Sequence, residues 1–194
     1  MHTPNGHTGR PFGPLHRFDH HRTDATGGLQ VDPDGRTVLY LGEDLLTCAN
    51  EVFGEAEEAP LCPGLRVARI AALRDLTLFD LQAPGAARAI GALPSLGSGN
   101  EKRELTQEWA RTIHSDQPTG APLDGILYRS AYHHGLAMAL WNCDGAVGTA
   151  TDSAGRARDR PLRDGRVLPQ LLIGLAMTPI VVRLLDAREC SRCS

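Results

Sequence analysis

The sequence contains little lysine, few aromatic residues and no long uninterrupted apolar run. Lys102 is the only lysine, although Lys and Arg together number 20, and aromatic residues make up 5% of the 194 residues. The net charge of −3 gives no general attraction to nucleic acid or to acidic membranes. The longest apolar run, residues 168–182, is interrupted by Gln170, Gly174 and Pro179 and is too short to span a bilayer. We therefore expect neither direct nucleic-acid binding nor membrane insertion.

Targeting and nucleotide-binding motifs are also missing. Residues 1–13 contain no apolar segment of the kind that a secretory signal requires, so we expect a cytoplasmic protein. No Gly-x-Gly-x-x-Gly sequence follows a predicted strand, which argues against a Rossmann site. The length predicts one domain, and the sequence leaves the oligomeric state open, a homodimer included.

The five cysteines are odd in number and irregularly spaced. In a cytoplasmic chain this pattern predicts thiols and not a disulfide framework. Cys190-Ser191-Arg192-Cys193 supplies half of a typical zinc site, but no second pair follows at a suitable spacing. We therefore predict that the protein has no metal site and that residues 188–194 form a flexible tail.

Apolar periodicity predicts a mixture of strands and helices without regular alternation. Residues 1–35 are rich in Gly, Pro, His and Asp and are predicted to be loop, and residues 143–166 are predicted to be an exposed excursion. Strands are predicted over residues 37–41, 66–71, 76–81, 126–130, 136–141 and 180–185, and helices over 44–54, 86–92, 101–114 and 167–177. This order favours an α+β fold over a doubly wound sheet.

The helix predicted over residues 44–54 has one apolar stripe that should face the core. Its members recur at helical spacing: Leu45, Leu46, Ala49, Val52 and Phe53. Glu51 lies away from this stripe, on the polar face of the helix. There it is either solvated or lines a cleft.

Three segments together resemble the RES family, which is named for its Arg, Glu and Ser. The segments are Arg-Phe-Asp at 17–19, Leu-Tyr-Leu at 39–41 running into the helix with Glu51, and Asp-Gly-Ile-Leu-Tyr-Arg-Ser at 124–130. The resemblance covers about residues 15–185. Arg17 follows a histidine where the family has glycine, and residues 22–34 form an apparent insertion. Arg22 and Arg36 therefore remain alternatives to Arg17.

The resemblance implies a fold like that of the ADP-ribosyltransferases, with a bent or split, mostly antiparallel sheet and flanking helices. It implies one RES domain over residues 15–187, between a flexible segment at 1–14 and the tail. It also implies a bacterial toxin that cleaves the nicotinamide–ribose bond of NAD and is neutralised by an antitoxin with an Xre-like helix-turn-helix. Transfer of ADP-ribose to a protein, or a degenerate domain that only binds a nucleotide or its antitoxin, are the alternatives.

The chemistry of this bond suits the residue types in the three segments. Cleavage develops positive charge on the ribose, which the carboxylate of Glu51 can stabilise. Arg17, Arg22 or Arg36 can bind the pyrophosphate through a planar donor fork. Ser130 can orient the ribose or the nicotinamide amide, and Tyr40 can stack on the nicotinamide ring. NAD is then the substrate, inorganic phosphate is a candidate co-substrate, and no further cofactor is expected.

Overall fold

The computed structural model of the protein describes residues 6–97, 101–191 and 193. Residues 1–5, 192 and 194 of the two predicted terminal segments lie outside this range. The helices are α1 (Leu45–Phe53), α2 (Ala86–Ala89), α3 (Arg103–Asp116) and α4 (Leu168–Leu175). The strands are β1 (Phe12–Gly13), β2 (Gln30–Val31), β3 (Val38–Gly42), β4 (Glu58–Leu61), β5 (Arg66–Ala68), β6 (Ile70–Ala72), β7 (Leu78–Asp80), β8 (Gly125–Arg129), β9 (Leu136–Trp141), β10 (Val147–Thr149), β11 (Asp159–Pro161) and β12 (Val181–Leu184).

A four-stranded sheet in the order β3-β9-β8-β7 forms the centre of the fold. β9 runs antiparallel to both β3 and β8, whereas β7 runs parallel to β8. Gly125 begins β8 so close to its neighbour that an added Cβ would lie 2.2 Å from the carbonyl oxygen of Ala139. A glycine is required there for β8 and β9 to pair.

Four two-stranded sheets surround the central one. β1–β2, β5–β11 and β6–β10 are antiparallel, and β4–β12 is parallel. The predicted α+β class is therefore confirmed, with mostly antiparallel pairing. Among the described residues, no helix has both the length and the apolar character needed to cross a membrane.

Residues 143–166 pair with the rest of the protein, contrary to the predicted exposed excursion. Their strands β10 and β11 pair with β6 and β5, and Ala146 and Val147 are buried. Two short strands separated by Gly, Asp and Arg residues give no periodic signal, because each contributes only three residues. The prediction was wrong for this reason.

Helix α1 begins where the sequence indicates, but its buried face is rotated relative to the apolar stripe that the sequence predicts. The side chain of Asp44 accepts a hydrogen bond from the backbone N of Thr47 at 2.7 Å and so caps the first turn. Val52, expected in the core, is 68% exposed, whereas Asn50 is buried and its amide donates to the carbonyl of Leu46 at 2.9 Å. Satisfying the polar group of Asn50 within the helix allows this rotation.

The loop before β2 is part of the core, although its sequence predicts surface loop. Phe18, Asp19, His20 and His21 are fully buried. The indole of Trp141 donates to the carbonyl of Phe18 at 3.1 Å. Helix α3 adds further contacts to this loop, because the amide of Gln107 donates to the carbonyl of His16 at 3.1 Å. The loop is thereby fixed against the sheet and carries Arg17 with it.

Candidate active site

Tyr128 joins the helix that carries Glu51 to the central sheet. Side chains two apart on a strand share a face, and Ile126 and Tyr128 of β8 both enter the core. The Tyr128 hydroxyl donates to Oε2 of Glu51 at 3.1 Å. Burial and the charge of Glu51 raise the pKa of Tyr128 well above its ordinary value of 10. Tyr128 therefore remains a donor to the Glu51 carboxylate at neutral pH.

Arg17 approaches the same tyrosine from the N-terminal loop. Its guanidinium carbon lies 5.2 Å from the ring centroid of Tyr128 and 4.9 Å from that of Phe18. Nη2 donates to the carbonyl of Leu96 at 3.1 Å, and Nη1 donates to that of Arg129 at 3.4 Å. The guanidinium is thus fixed by carbonyl groups from two segments that are distant in the sequence.

An unusual backbone conformation lies next to Arg17. Phe18 has a φ of 61°, in the left-handed region that bulky residues rarely adopt. The packing of its ring against Tyr128, at 4.7 Å between centroids, and the hydrogen bond from Trp141 to its carbonyl stabilise this conformation. Backbone strain of this kind is often found at functional sites.

The positively charged side chain of Arg17 is partly desolvated and lies near the carboxylate of Glu51. Burial lowers the pKa of Arg17 from its ordinary value, while Tyr128 and then Glu51 act to raise it. Arg17 therefore remains a cation at neutral pH. Opposite charges so placed create a local field that can act on a bound ligand.

Two polar atoms of this cluster lack protein partners. Oε1 of Glu51 and Nε of Arg17 are buried, and neither makes a hydrogen bond to any residue that the structure describes. Buried polar atoms are nearly always satisfied, since leaving one unsatisfied costs about 1–3 kcal/mol. One acceptor and one donor are thus available for a ligand with hydroxyl or phosphate groups.

Tyr40 holds the loop of Arg17 in place. Its hydroxyl lies 2.5 Å from the carbonyl oxygen of Arg17 and also donates to the carboxylate of Asp19. Asp19 in turn accepts from Nη2 of Arg10 at 2.6 Å. The edge of the Tyr40 ring contacts His16, with 5.6 Å between centroids. This positioning role was not predicted, because the sequence showed the strand but not the buried loop above it.

Ser130 follows β8 directly and is fully buried. Its hydroxyl accepts from the backbone N of Tyr132 at 3.3 Å, and its own backbone N donates to the carbonyl of Gly135 at 2.9 Å. The ring of Tyr132 lies against the end of α1, since an added Cβ on Gly54 would come within 2.5 Å of it. Ser130 therefore shapes the turn that borders the Arg17 site.

The two alternative arginines lie in a different environment. Arg22 pairs with Asp34 at 3.1 Å, and Arg36 pairs with the same carboxylate at 3.5 Å. Arg36 also donates to the carbonyl of His20 at 2.8 Å. The structure thus brings Arg17 to Glu51 and Tyr128, whereas Arg22 and Arg36 share Asp34.

Several residues of this site were not predicted as site residues. Tyr128 precedes Ser130 by two positions, and this spacing on a strand was the available signal. Burial is the main cause that lowers the pKa of His16, and the nearby charges of Arg103 and Glu51 make smaller contributions to that pKa. At the exposed rim, Arg103 pairs with Glu55 at 2.7 Å. His16 and Arg103 carried no signal in the sequence, because only the packing of α3 on the loop brings them here.

A cavity of about 390 Å³ lies at the turn Pro94–Gly97, and Arg17, Tyr128 and Ser130 do not line it. Its lining includes Gln82, Arg88 and Gly97, and the neighbouring Leu96 supplies the carbonyl that holds Arg17. Glu51 does not line it. Within residues 6–97, 101–191 and 193, the only close group of three or more metal-ligating side chains consists of Cys62, which follows β4, and Cys190 and Cys193 of the C-terminal segment.

Comparison with known proteins gives one match. The family model described as RES domain matches residues 1–163, which include Arg17, Glu51, Tyr128 and Ser130. No curated protein and no solved structure matches the chain. The match extends over most of the sequence and contains all the segments that build the Glu51 cluster, so the chain belongs to the RES domain family.

Proposed function

We propose that this protein cleaves the nicotinamide–ribose bond of NAD and acts as the toxin of a toxin–antitoxin pair. The RES family suggests a domain associated with such pairs. The observation that carries the proposal is the convergence of Glu51 and Arg17 on Tyr128, with a buried oxygen and a buried nitrogen that form no hydrogen bond with the part of the chain that the structure describes. That arrangement offers one anion and one cation to the same ligand.

Glu51 is the group that acts on the ribose in this proposal. Bond cleavage gives the ribose the character of an oxocarbenium ion, and nicotinamide leaves as a neutral molecule. The hydrogen bond from Tyr128 fixes Oε2, which leaves Oε1 to accept a ribose hydroxyl and to stabilise the positive charge. A carboxylate fixed before substrate binds needs little reorganisation in the transition state.

Arg17 is the group that binds phosphate oxygens. A guanidinium has five N–H donors, and the carbonyls of Leu96 and Arg129 engage only two of its nitrogens. The Nε–H and the remaining terminal hydrogens are available to the pyrophosphate. Ser130, in the bordering turn, is assigned to the ribose or the nicotinamide amide, and Tyr40 to positioning Arg17.

The acceptor of the ribosyl group is water or inorganic phosphate. Either acceptor attacks the anomeric carbon once nicotinamide has left. Each residue of the site therefore has the same role in hydrolysis and in phosphorolysis. NAD is the substrate, and the proposal requires no other cofactor. The partner is an antitoxin of the Xre-like helix-turn-helix class that blocks the toxin.

The experiment follows nicotinamide release from NAD by the purified full-length protein, with and without phosphate and with and without a protein acceptor. Release without an acceptor supports the proposal, and a phosphate dependence identifies phosphorolysis. Release that requires an acceptor indicates ADP-ribose transfer instead. NAD binding without any release indicates a domain that only binds.

Glu51→Gln is the decisive variant, because it removes the charge and retains the size and the oxygen that Tyr128 contacts. We expect nicotinamide release to fall about 100- to 1000-fold, as for the loss of one main electrostatic contact. Glu55→Gln is the matched control, since Glu55 lies one turn later in an exposed pair with Arg103, and it should change the rate less than about 2-fold. Near-normal turnover by Glu51→Gln would refute the mechanism.

A further inference from the structure

Three cysteines that follow the carboxyl ends of the parallel strands β4 and β12 lie close together in space. Cys62 follows β4 and is buried, and Cys190 and Cys193 lie after β12. The three sulfur atoms all lie within 4.8 Å of one another, and those of Cys62 and Cys193 are 3.4 Å apart. Cys62 is the third ligand that the sequence did not reveal, 131 positions before Cys193.

The backbone around these cysteines is well organised. The backbone N of Leu185 donates to the carbonyl of Leu61 at 2.9 Å and extends the β4–β12 pairing up to Cys62. Beyond it, Asp186 and Glu189 cap the turn at Ala187–Glu189 reciprocally. These contacts place the Cys190–Cys193 segment beside β4, which a tail without fixed structure would not do.

Each cysteine also lies in a tight turn of the kind that presents sulfur ligands. The backbone N of Cys193 donates to the carbonyl of Cys190 at 2.9 Å, and that of Leu65 donates to the carbonyl of Cys62 at 3.2 Å. The backbone of Gly64, within the second turn, makes a hydrogen bond to the sulfur of Cys193.

We propose that Cys62, Cys190 and Cys193 bind a thiophilic divalent cation, Zn²⁺, as three thiolate ligands. Sulfur atoms about 2.3 Å from a tetrahedral zinc lie about 3.8 Å from one another, which is close to the spacing here. The 3.4 Å between Cys62 and Cys193 is too long for a disulfide bond of about 2.05 Å, and a disulfide would leave the third sulfur out.

Zinc binding releases the thiol protons to solvent as the three thiolates form. The group found among the described residues supplies three of the four ligands of a tetrahedral zinc. The cation would tie the C-terminal segment to β4. Cys190 and Cys193 lie beyond the residues that match the family, and the proposal is independent of NAD cleavage.

The test measures zinc bound to the purified full-length protein after incubation with Zn²⁺ and a non-chelating reductant, followed by removal of unbound metal. We expect one zinc per chain. Cys190→Ser and Cys193→Ser should each weaken zinc binding at least about 10-fold, since each removes one of three thiolates. Both side chains are partly exposed, so these variants change ligation more than packing. Cys62→Ser should also weaken zinc binding, but it alters a buried position, so its effect combines lost ligation with changed packing.

Cys48→Ser is the matched control, because Cys48 lies in α1 and outside the cluster. It should retain full zinc binding. Substitution with Co²⁺ should add thiolate-to-metal charge-transfer absorption in the wild-type and Cys48→Ser proteins, and this absorption should be weaker in Cys193→Ser, which has lost one thiolate. The absence of bound zinc, or equal binding by wild type and Cys193→Ser, would overturn the proposal, as would a Cys62–Cys193 disulfide formed in place of the metal complex.

Discussion

Arg17 and Arg22 lie only five positions apart on one loop, yet their surroundings differ in kind. The Arg17 guanidinium lies over the Tyr128 ring and beside Glu51, with its Nε buried and unsatisfied among the described residues. The side chain of Arg22 is 58% exposed and shares the carboxylate of Asp34 with Arg36. Exposed ion pairs contribute about 0–1 kcal/mol to stability and can be lost at little cost. The comparison teaches that burial, and not residue type, separates a candidate ligand-binding arginine from a surface one.

The largest effect that would test this comparison comes from exchanging each arginine for lysine. Lysine keeps the positive charge but lacks the planar group of N–H donors with which arginine binds backbone carbonyls and phosphate oxygens. We expect Arg17→Lys to lower kcat/KM for NAD about 100-fold and Arg22→Lys to change it less than about 2-fold. Steady-state kinetics at one salt concentration measures both. Equal losses for the two variants would remove the distinction between the two arginines.

Tyr128→Phe should give a smaller effect, because it removes only the hydroxyl. The ring remains under Arg17, but Glu51 loses the donor that fixes Oε2. One such hydrogen bond contributes about 1.4 kcal/mol, so we expect kcat/KM to fall about 10-fold.

The control for Tyr128→Phe is Tyr132→Phe, since Tyr132 is exposed at the neighbouring turn. Its kcat/KM should stay within about 2-fold of wild type. Thermal unfolding of both variants separates lost activity from lost stability. A Tyr128→Phe protein with wild-type kinetics would show that the hydrogen bond to Glu51 does not matter for turnover.

An effect on stability and not on activity concerns His20, which lies between Arg17 and Arg22 in the sequence and is fully buried. Burial, followed by the charges of His114, His21 and Arg36, lowers the pKa of His20 to about 2. Below about pH 6.5 the unfolded chain therefore binds a proton that the folded chain does not. The free energy of unfolding should consequently fall as the pH decreases, with His20 contributing at most about 1.4 kcal/mol per pH unit.

Denaturant unfolding between pH 7 and pH 4 measures this contribution as the difference between variants. His20→Gln should show a shallower decrease than wild type, because it removes the buried imidazole. His134→Asn is the control, since His134 is exposed and asparagine tolerates its positive φ. Parallel curves for wild type and His20→Gln would show that His20 is not the group responsible.

The local elements of the fold were predicted well where one periodic pattern extends over several residues. β9 has the bounds expected for it, Leu136–Trp141, and α1 and α3 start within two residues of the predicted positions. Side chains that alternate on a strand or recur at helical spacing report burial directly. Helical spacing wrongly predicted that Val52 of α1 is buried. Asn50 is buried instead, because its amide makes a hydrogen bond within the helix.

The candidate site shows where such reasoning ends. Glu51, Arg17 and Ser130 were selected from a resemblance, and the structure places the first two on either side of Tyr128. Tyr40 was selected as a ligand-stacking residue, and the structure adds that its hydroxyl contacts Asp19 and the carbonyl of Arg17. No local pattern reports that a loop rich in Gly, Pro and His is buried, because its polar groups are satisfied by residues far along the chain.

The sequence by itself determined the α+β class, the main strands and helices and the family segments, since each depends on neighbours within a few positions. Only the tertiary structure decided which arginine meets Glu51 and that Cys62 lies beside Cys193. Those pairings join residues tens to more than a hundred positions apart. Their free energy comes from burial and hydrogen bonds between elements, and the spacing of residues along the chain does not record it.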